Sequence, residues 1–317
     1  MKNILHKRES YLLVVTLVLW GVISIMNPNF ASPRFVMSLI GFNGVYFICA
    51  LGILPLMIKG EIDLSIGGMI TATNVIIVLI NIKLQLPLIL IVAIGLLVGA
   101  LLGAVSGYII GRFKLPSVIV TLAMMNIYYG FSKYINRVMV HDDQALPNYN
   151  FQDYKIFGFG IDILFIVVMI VSLYYLMHYT SLGRSVYTIG GNKRLAELIG
   201  FPYFSTTMKV HLISGLSAGL VAAISSVTFN NVNTTIHSGI EFELLIIVII
   251  GGVSILGGSG SVLGTFLSCL FIIILRNGLV FVRIPVFWHD MIIGVIIILI
   301  VSYDMFRHRV NLNDWRP

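Results

Sequence analysis

The chain is a succession of apolar runs, each close to the thickness of a bilayer's hydrocarbon core. A helix needs about 20 mostly apolar residues to cross that core. Runs of this kind lie at 11–27, 38–58, 66–82, 87–111, 116–135, 161–178, 207–229, 242–256, 261–280 and 286–303. In lipid every backbone polar group must be satisfied internally, which leaves helices as the form such runs take. The runs predict an all-α, polytopic transmembrane bundle of about ten spans, forming one domain over residues 1–317. Two of them, 66–82 and 242–256, are short, and either is open to being a broken or re-entrant segment buried by its neighbours.

Composition excludes the soluble alternative. Only 10% of residues are charged, 58% are hydrophobic, and the mean hydropathy is +0.99. Soluble domains carry roughly 25% charged residues to cover their surface. The net charge of +7 does not point to nucleic acid, because the basic residues sit in short breaks between apolar runs and form no single basic face. In a membrane protein such charges report orientation and contact with anionic headgroups. Cys49 and Cys269 both lie inside apolar runs, with no metal-ligand spacing and no disulfide framework. Residues 1–10 precede the first run without a small-residue cleavage site, so that run is expected to be a permanent span.

Lys and Arg set the expected orientation. With ten spans and a cytoplasmic N-terminus, 13 basic residues fall inside and 7 outside, so both termini are predicted to be cytoplasmic. Two connections are long. Residues 136–160, with His141, Asp142, Asp143, Pro147 and Asp153, form a polar external loop. Residues 179–206, with Gly183, Arg184, Gly190, Gly191, Lys193, Arg194, Glu197, Gly200 and Pro202, form the longest cytoplasmic one. No Gly-x-x-x-x-Gly-Lys-Ser/Thr phosphate loop is present, so an ATPase driving this chain has to be another polypeptide.

Local chemistry marks three kinds of site. Residues 59–67 place Lys59, Glu61 and Asp63 between two apolar runs, where the plainest expectation is a solvated turn. The functional alternative has Asp63 and Ser65 capping a gating helix that starts near Ile66. Asn192–Leu198 predicts a short helix with Asn192 as its N-cap, an Arg194–Glu197 pair on one face, and Leu195 and Leu198 on the other. Polar residues inside runs, namely Asn43, Thr71, Thr73, Asn74, Asn126, Tyr128, Tyr129, Asn230 and Asn231, are pathway candidates, since neutral hydrogen-bonding groups suit a polyol. For any single one of them a bond between helices is the plainer expectation. No convergent catalytic set and no metal site is legible, so no catalytic role is expected of this chain.

Four segments together resemble one family. They are Gly60-Glu61-Ile62-Asp63-Leu64-Ser65-Ile66-Gly67; Gly111 through Pro116-Ser117-Val118-Ile119-Val120-Thr121-Leu122; Gly183-Arg184 followed by Gly191-Asn192-Lys193-Arg194-Leu195-Ala196-Glu197-Leu198-Ile199-Gly200; and Gly251-Gly252 through Gly257-Gly258-Ser259-Gly260 to Gly264-Thr265. Their order is similar to that of the ribose-type sugar permeases, membrane subunits of bacterial importers for monosaccharides or the autoinducer-2 signal. The resemblance covers residues of about 40–305. The family's second glycine in the first motif is Glu61 here, and the acidic and basic positions around Lys193 to Glu197 are exchanged.

That resemblance implies a permease subunit in the cell inner membrane, with no cofactor of its own. Its implied partners are ATP-binding-cassette ATPase subunits that bind ATP and Mg, a second permease subunit (identical or paralogous), and an extracytoplasmic solute-binding protein. Residues 192–198 and Gly200 become the ATPase-coupling segment, and 60–65 the gating motif. An ion-gradient-driven secondary transporter is the rival. It requires buried ionisable groups within spans, and the sequence places Glu61, Asp63, Asp162 and Glu241 at breaks or span ends. Branched-chain amino-acid permeases are a relative within the family.

Overall fold

The computed structural model describes residues 2–139, 155–156, 159–228, 237–289, 291–295 and 298. These are almost wholly helical. The α-helices run α1 (Lys2–Met26), α2 (Pro33–Phe42), α3 (Gly44–Ile58), α4 (Ile66–Leu84), α5 (Leu88–Phe113), α6 (Ser117–Met139), α7 (Ile161–Tyr179), α8 (Ser181–Gly191), α9 (Lys193–Leu198), α10 (Tyr203–Thr228), α11 (Ile240–Ile250) and α12 (Val262–Phe281). A two-residue antiparallel pairing, Lys155–Ile156 with Phe159–Gly160, precedes α7.

Six helices are long and apolar enough to cross a membrane: Glu9–Met26 of α1, then α4, α5, α7, most of α10, and α12. A seventh span results if α2 and α3, bent by 52° at Asn43, act together. The ten-span expectation reaches beyond this set. The run 116–135 lies in α6, which is long but carries Lys133 and Arg137 near its end. The run 242–256 is broken, one of the forms open to it. Its helix, α11, has 11 residues and stops at Gly251, a rise of roughly 16 Å against a core of about 30 Å. The other short run, 66–82, is the full 19-residue α4. The loop 136–160 falls largely outside the described residues, as do eight residues of the run 286–303. The connection 179–206 is not a loop but the helices α8 and α9 and the first turn of α10.

The bundle is apolar on its outside and has hydroxyls inside. Ile89, Leu97, Leu101 and Val105 of α5 and Val167, Val168, Val171 and Tyr175 of α7 are exposed. Water-facing helices carry charges on such faces, and contiguous apolar surface marks contact with lipid. At the centre stand α4 and α10, whose apolar windows are 72% and 78% buried, against 22% for α5 and 17% for α7.

The tightest helix pair is α5 against α10. Glycines recur every fourth residue in α5 at Gly95, Gly99, Gly103, Gly107 and Gly111, placing them on one stripe. A Cβ on Gly99 would stand 2.2 Å from the carbonyl oxygen of Gly215, and one on Gly103 2.3 Å from that of His211. Helices in lipid gain no hydrophobic drive for association, so close backbone approach along small residues supplies packing instead. This stripe is visible in the sequence but is not among the motifs singled out there. Gly99→Leu should therefore lower the melting temperature in detergent, since overpacking costs ~1–3 kcal/mol and the obstructing atoms are backbone. Gly130→Ala, with nothing within 4 Å of its added Cβ, should be neutral or slightly stabilising. Equal melting of the two variants would contradict the stripe.

Candidate functional site

Between α3 and α4 the chain leaves the helix for residues 59–65, and its polar side chains stay buried. Lys59 is 4% exposed, Glu61 6%, Asp63 1% and Ser65 0%. The expectation of a solvated turn is thus corrected. Buried irregular backbone has to find partners, and α6 provides them. The N–H of Ile62 donates to Ser117 Oγ and that of Leu64 to Thr121 Oγ1, both at 3.1 Å, while the Thr121 hydroxyl reaches Ile62 O at 3.2 Å. The fit is geometric. Two residues of extended chain advance about 6.6 Å, and four residues of helix about 6 Å. Hydroxyls at 117 and 121 therefore face amides at 62 and 64.

Asp63 closes the segment onto α4 and α10. It accepts from the Ser65 N–H at 2.8 Å, the Ser65 hydroxyl at 2.6 Å and the Ser214 hydroxyl at 2.8 Å. The helix starts at Ile66 as expected, with Asp63 taking one amide at its entry. Ser65 differs from expectation: its hydroxyl is committed to Asp63 and caps no helix amide.

Lys59 and Glu61 form a buried ion pair. Around it, the Lys59 ammonium donates to Thr207 Oγ1 at 2.7 Å, the Tyr203 hydroxyl donates to Glu61 Oε1 at 3.1 Å, and His211 Nε2 lies 3.4 Å from Glu61 Oε2. Burial draws the Lys59 ammonium below its ordinary range, opposed by the charge of Glu61. At Glu61 burial would raise the carboxyl, but the contact with His211 and the charge of Lys59 outweigh it and hold the group at about 2. Glu61 is accordingly ionised at neutral pH.

Helix α9 matches the sequence expectation in extent. Asn192 caps it by accepting from the Leu195 N–H at 3.0 Å, and Gly200 follows at φ 87°. Leu195 and Leu198 are 54% and 77% exposed, whereas Ala196 is buried. The expected Arg194–Glu197 pair is replaced: Glu197 pairs with Lys114, beyond the end of α5, at 3.1 Å. Both partners are exposed, so the pair contributes little to stability. Lys193 stacks 3.9 Å over the ring of Tyr203, whose other cation is Lys59 at 4.2 Å.

Glycines join the remaining motifs. Gly60, Gly257 and Gly258 all have φ of 80–88°, a backbone region that favours glycine. The Gly258 N–H donates to Ile58 O at 2.7 Å. A Cβ on Gly190 would fall 2.0 Å from Ile58 O, one on Gly257 2.9 Å from the Cα of Gly60, and one on Gly258 2.9 Å from the Cα of Gly191. Three segments far apart in sequence thus meet at one node. The two helix–break–helix units, α3–α4 and α11–α12, touch at their glycines, an arrangement familiar from broken-helix transporters.

Residues 35–301 match the family described as branched-chain amino acid transport system / permease component. The chain belongs to that family. This permease is also 28% identical over 306 residues to the ribose import permease protein of Escherichia coli (strain K12), covering 93% of each chain. It is 26% identical over 313 residues to the autoinducer 2 import system permease protein of Enterobacter sp. (strain 638), covering 96% of this chain and 88% of that one. A probable ABC transporter permease protein of Escherichia coli (strain K12) is 29% identical over 299 residues, covering 93% and 89%. No solved structure matches significantly.

The pathway candidates of the permease divide. Asn74 Nδ2 donates to Ala222 O at 3.3 Å and Tyr128 donates to Leu102 O at 2.8 Å, so both bond one helix to another. Thr71 bonds within its own helix to Gly67 O, and Asn126 does so to Leu122 O on an exposed face. Asn43 sits at the α2–α3 bend and donates to Leu39 O at 2.8 Å. Thr73 is fully buried with an unpartnered hydroxyl, and Tyr129 reaches His237 O at 3.2 Å. Asn230 and Asn231 lie outside the described residues. Sequence reading missed Tyr203, His211 and Ser214, which the motif contacts select; nothing in their local pattern sets them apart from packing residues. Among the described residues no group of three His, Cys, Asp or Glu side chains is placed to hold a metal.

Thr121→Val should destabilise the permease by about 1–3 kcal/mol, because it strands the Leu64 amide in a buried site. Thr121→Ser should recover most of that loss. Thermal unfolding in detergent measures both, and a Val variant that melts like wild type would contradict the staple.

Proposed function

We propose that this permease forms half of the translocation pathway of an ATP-binding-cassette importer for a monosaccharide or sugar-like solute. One observation carries the coupling part. Helix α9 is a separately capped six-residue helix that presents Leu195 and Leu198 outward while its first residue stacks on a ring tied to the buried break. Two exposed leucines on a helix too short to cross lipid suit an aqueous groove on a partner chain. The solute class rests on the ribose and autoinducer-2 permeases among its relatives and on the sugar-permease motifs.

In this reading separate ATPase subunits bind ATP and Mg and dock on Asn192–Leu198. A second permease subunit completes the pore, and an extracytoplasmic binding protein delivers the solute. The protein lies in the cell inner membrane with α9 and both termini on the cytoplasmic side. ATP binding and hydrolysis shift the pore between inward-open and outward-open states through contacts that differ between them. Substituted-cysteine labelling checks the sidedness: a cysteine at position 193 should react only from the cytoplasm, and reaction from outside would refute both the topology and the coupling assignment.

One observation favours the ion-driven alternative. Glu241 is 3% exposed and its Oε2 has no hydrogen-bond partner, the sort of buried carboxylate that ion-coupled carriers use. The two readings separate cleanly. Uptake by the importer should survive collapse of the proton gradient and stop on ATP depletion; the reverse result would favour the carrier. Within the importer, Leu195→Ala with Leu198→Ala should weaken ATPase association by at least about tenfold, since truncating a desolvated anchor costs ~2 kcal/mol or more. Folding should be largely kept, as both side chains are exposed in the isolated chain. Unchanged ATPase affinity and uptake would move the coupling site elsewhere.

A further inference from the structure

The first motif departs from the sugar-permease pattern at Glu61, where the family has glycine, and the charge introduced there is not left alone. Lys59, Glu61 and His211 are 4%, 6% and 0% exposed and lie within one contact network. Burying three ionisable groups is costly, and pairing only partly offsets it. Three acceptor or donor positions stay open: neither Glu61 Oε2 nor either ring nitrogen of His211 has a well-formed hydrogen bond. An arrangement this costly and this incompletely satisfied is poorly explained as packing.

Its connections run two ways. Inward, the segment continues through Asp63 to Ser214 of α10 and into α4. Outward, a single side chain leads to α9. The ring of Tyr203 has the ammonium of Lys59 4.2 Å and that of Lys193 3.9 Å from its centroid, while its hydroxyl donates to Glu61 Oε1 at 3.1 Å. A cation over a ring is attracted to it, more so when desolvated. Tyr203 also opens α10, so a displacement of α9 is passed to α10 and to the buried pair at once.

We propose that Tyr203, held between Lys193 and the Lys59–Glu61–His211 cluster, is the positioning residue that transmits movement of α9 to the α3–α4 break and so couples ATP hydrolysis to gating. This rests on the importer reading given under Proposed function. It assigns the cluster a mechanical role: the buried ion pair makes the break a stiff lever, and the Tyr203 ring is its only attachment to α9 that uses charge among the described residues. The Lys114–Glu197 pair ties α9 to α5 instead.

The experiment uses the complete importer, permease with its ATPase and binding protein, reconstituted in liposomes, and reads solute imported per ATP hydrolysed. ATP-driven uptake by the wild-type complex is the first arm, and its absence would refute the importer reading and this proposal with it. Given that uptake, Tyr203→Leu should lower the ratio about tenfold, the size expected from losing a hydrogen bond to a charged group, with hydrolysis continuing. Tyr203→Phe, which keeps the ring beside the two ammoniums, should fall between Tyr203→Leu and wild type. Replacing the pair together, Lys59→Met with Glu61→Leu, avoids an uncompensated buried charge and should keep the melting temperature while lowering the ratio as Tyr203→Leu does. Combining it with Tyr203→Leu should add nothing further. A wild-type ratio in Tyr203→Leu or in the paired replacement, whatever happens to melting temperature, would overturn the proposal and leave the cluster a structural feature only.

Discussion

A stretch of extended chain buried among helices has to find a partner for each of its backbone groups, and this requirement organises the centre of the permease. Residues 61–65 cannot bond to themselves as a helix does. Their amides are answered by Ser117 and Thr121, and Asp63 is answered by Ser65 and Ser214. Each answer fixes a neighbour: the start of α6, the entry to α4 and the middle of α10. An unanswered amide there would cost about 1–3 kcal/mol, a large share of the stability of a marginally stable fold. The position of the break therefore sets the positions of the helices around it.

Glycine supplies what hydrogen bonding cannot. The α5–α10 contact and the junction of Gly60, Gly190 and Gly257 both bring backbone against backbone, where any side chain would collide. The first contact is a fixed seam along two helices. The second is a meeting of turns at positive φ, with one backbone hydrogen bond across it among the described residues, Gly258 to Ile58. A seam with extended complementarity resists sliding. A junction of turns has no such extended complementarity, and it lies where α8 approaches the break.

Much of this was legible in the chain itself. The length of the apolar runs and the scarcity of charge required a helical membrane protein, and the order of four short motifs named its family. The extent of α9 could be read from Asn192 and Gly200, because capping and termination are local effects. The ionic partner of Glu197 could not, because Lys114 stands 83 residues away and no periodicity links them. The number of segments that cross could not be read for a similar reason. Apolar composition does not distinguish a segment that crosses lipid from one, like α11, that other helices bury.

Sequence alone therefore determined the class, the family and the local helices, all of which follow from short-range periodicity, capping and apolar length. Only the tertiary structure decided that Lys59, Glu61 and Asp63 are buried and not solvated, and that Ser117, Thr121 and Ser214 are their partners. The reason is physical. Whether a charge between two apolar runs meets water or protein depends on which distant helices close over it, and closure is set by the packing of α6 and α10, not by the residues on either side of the charge.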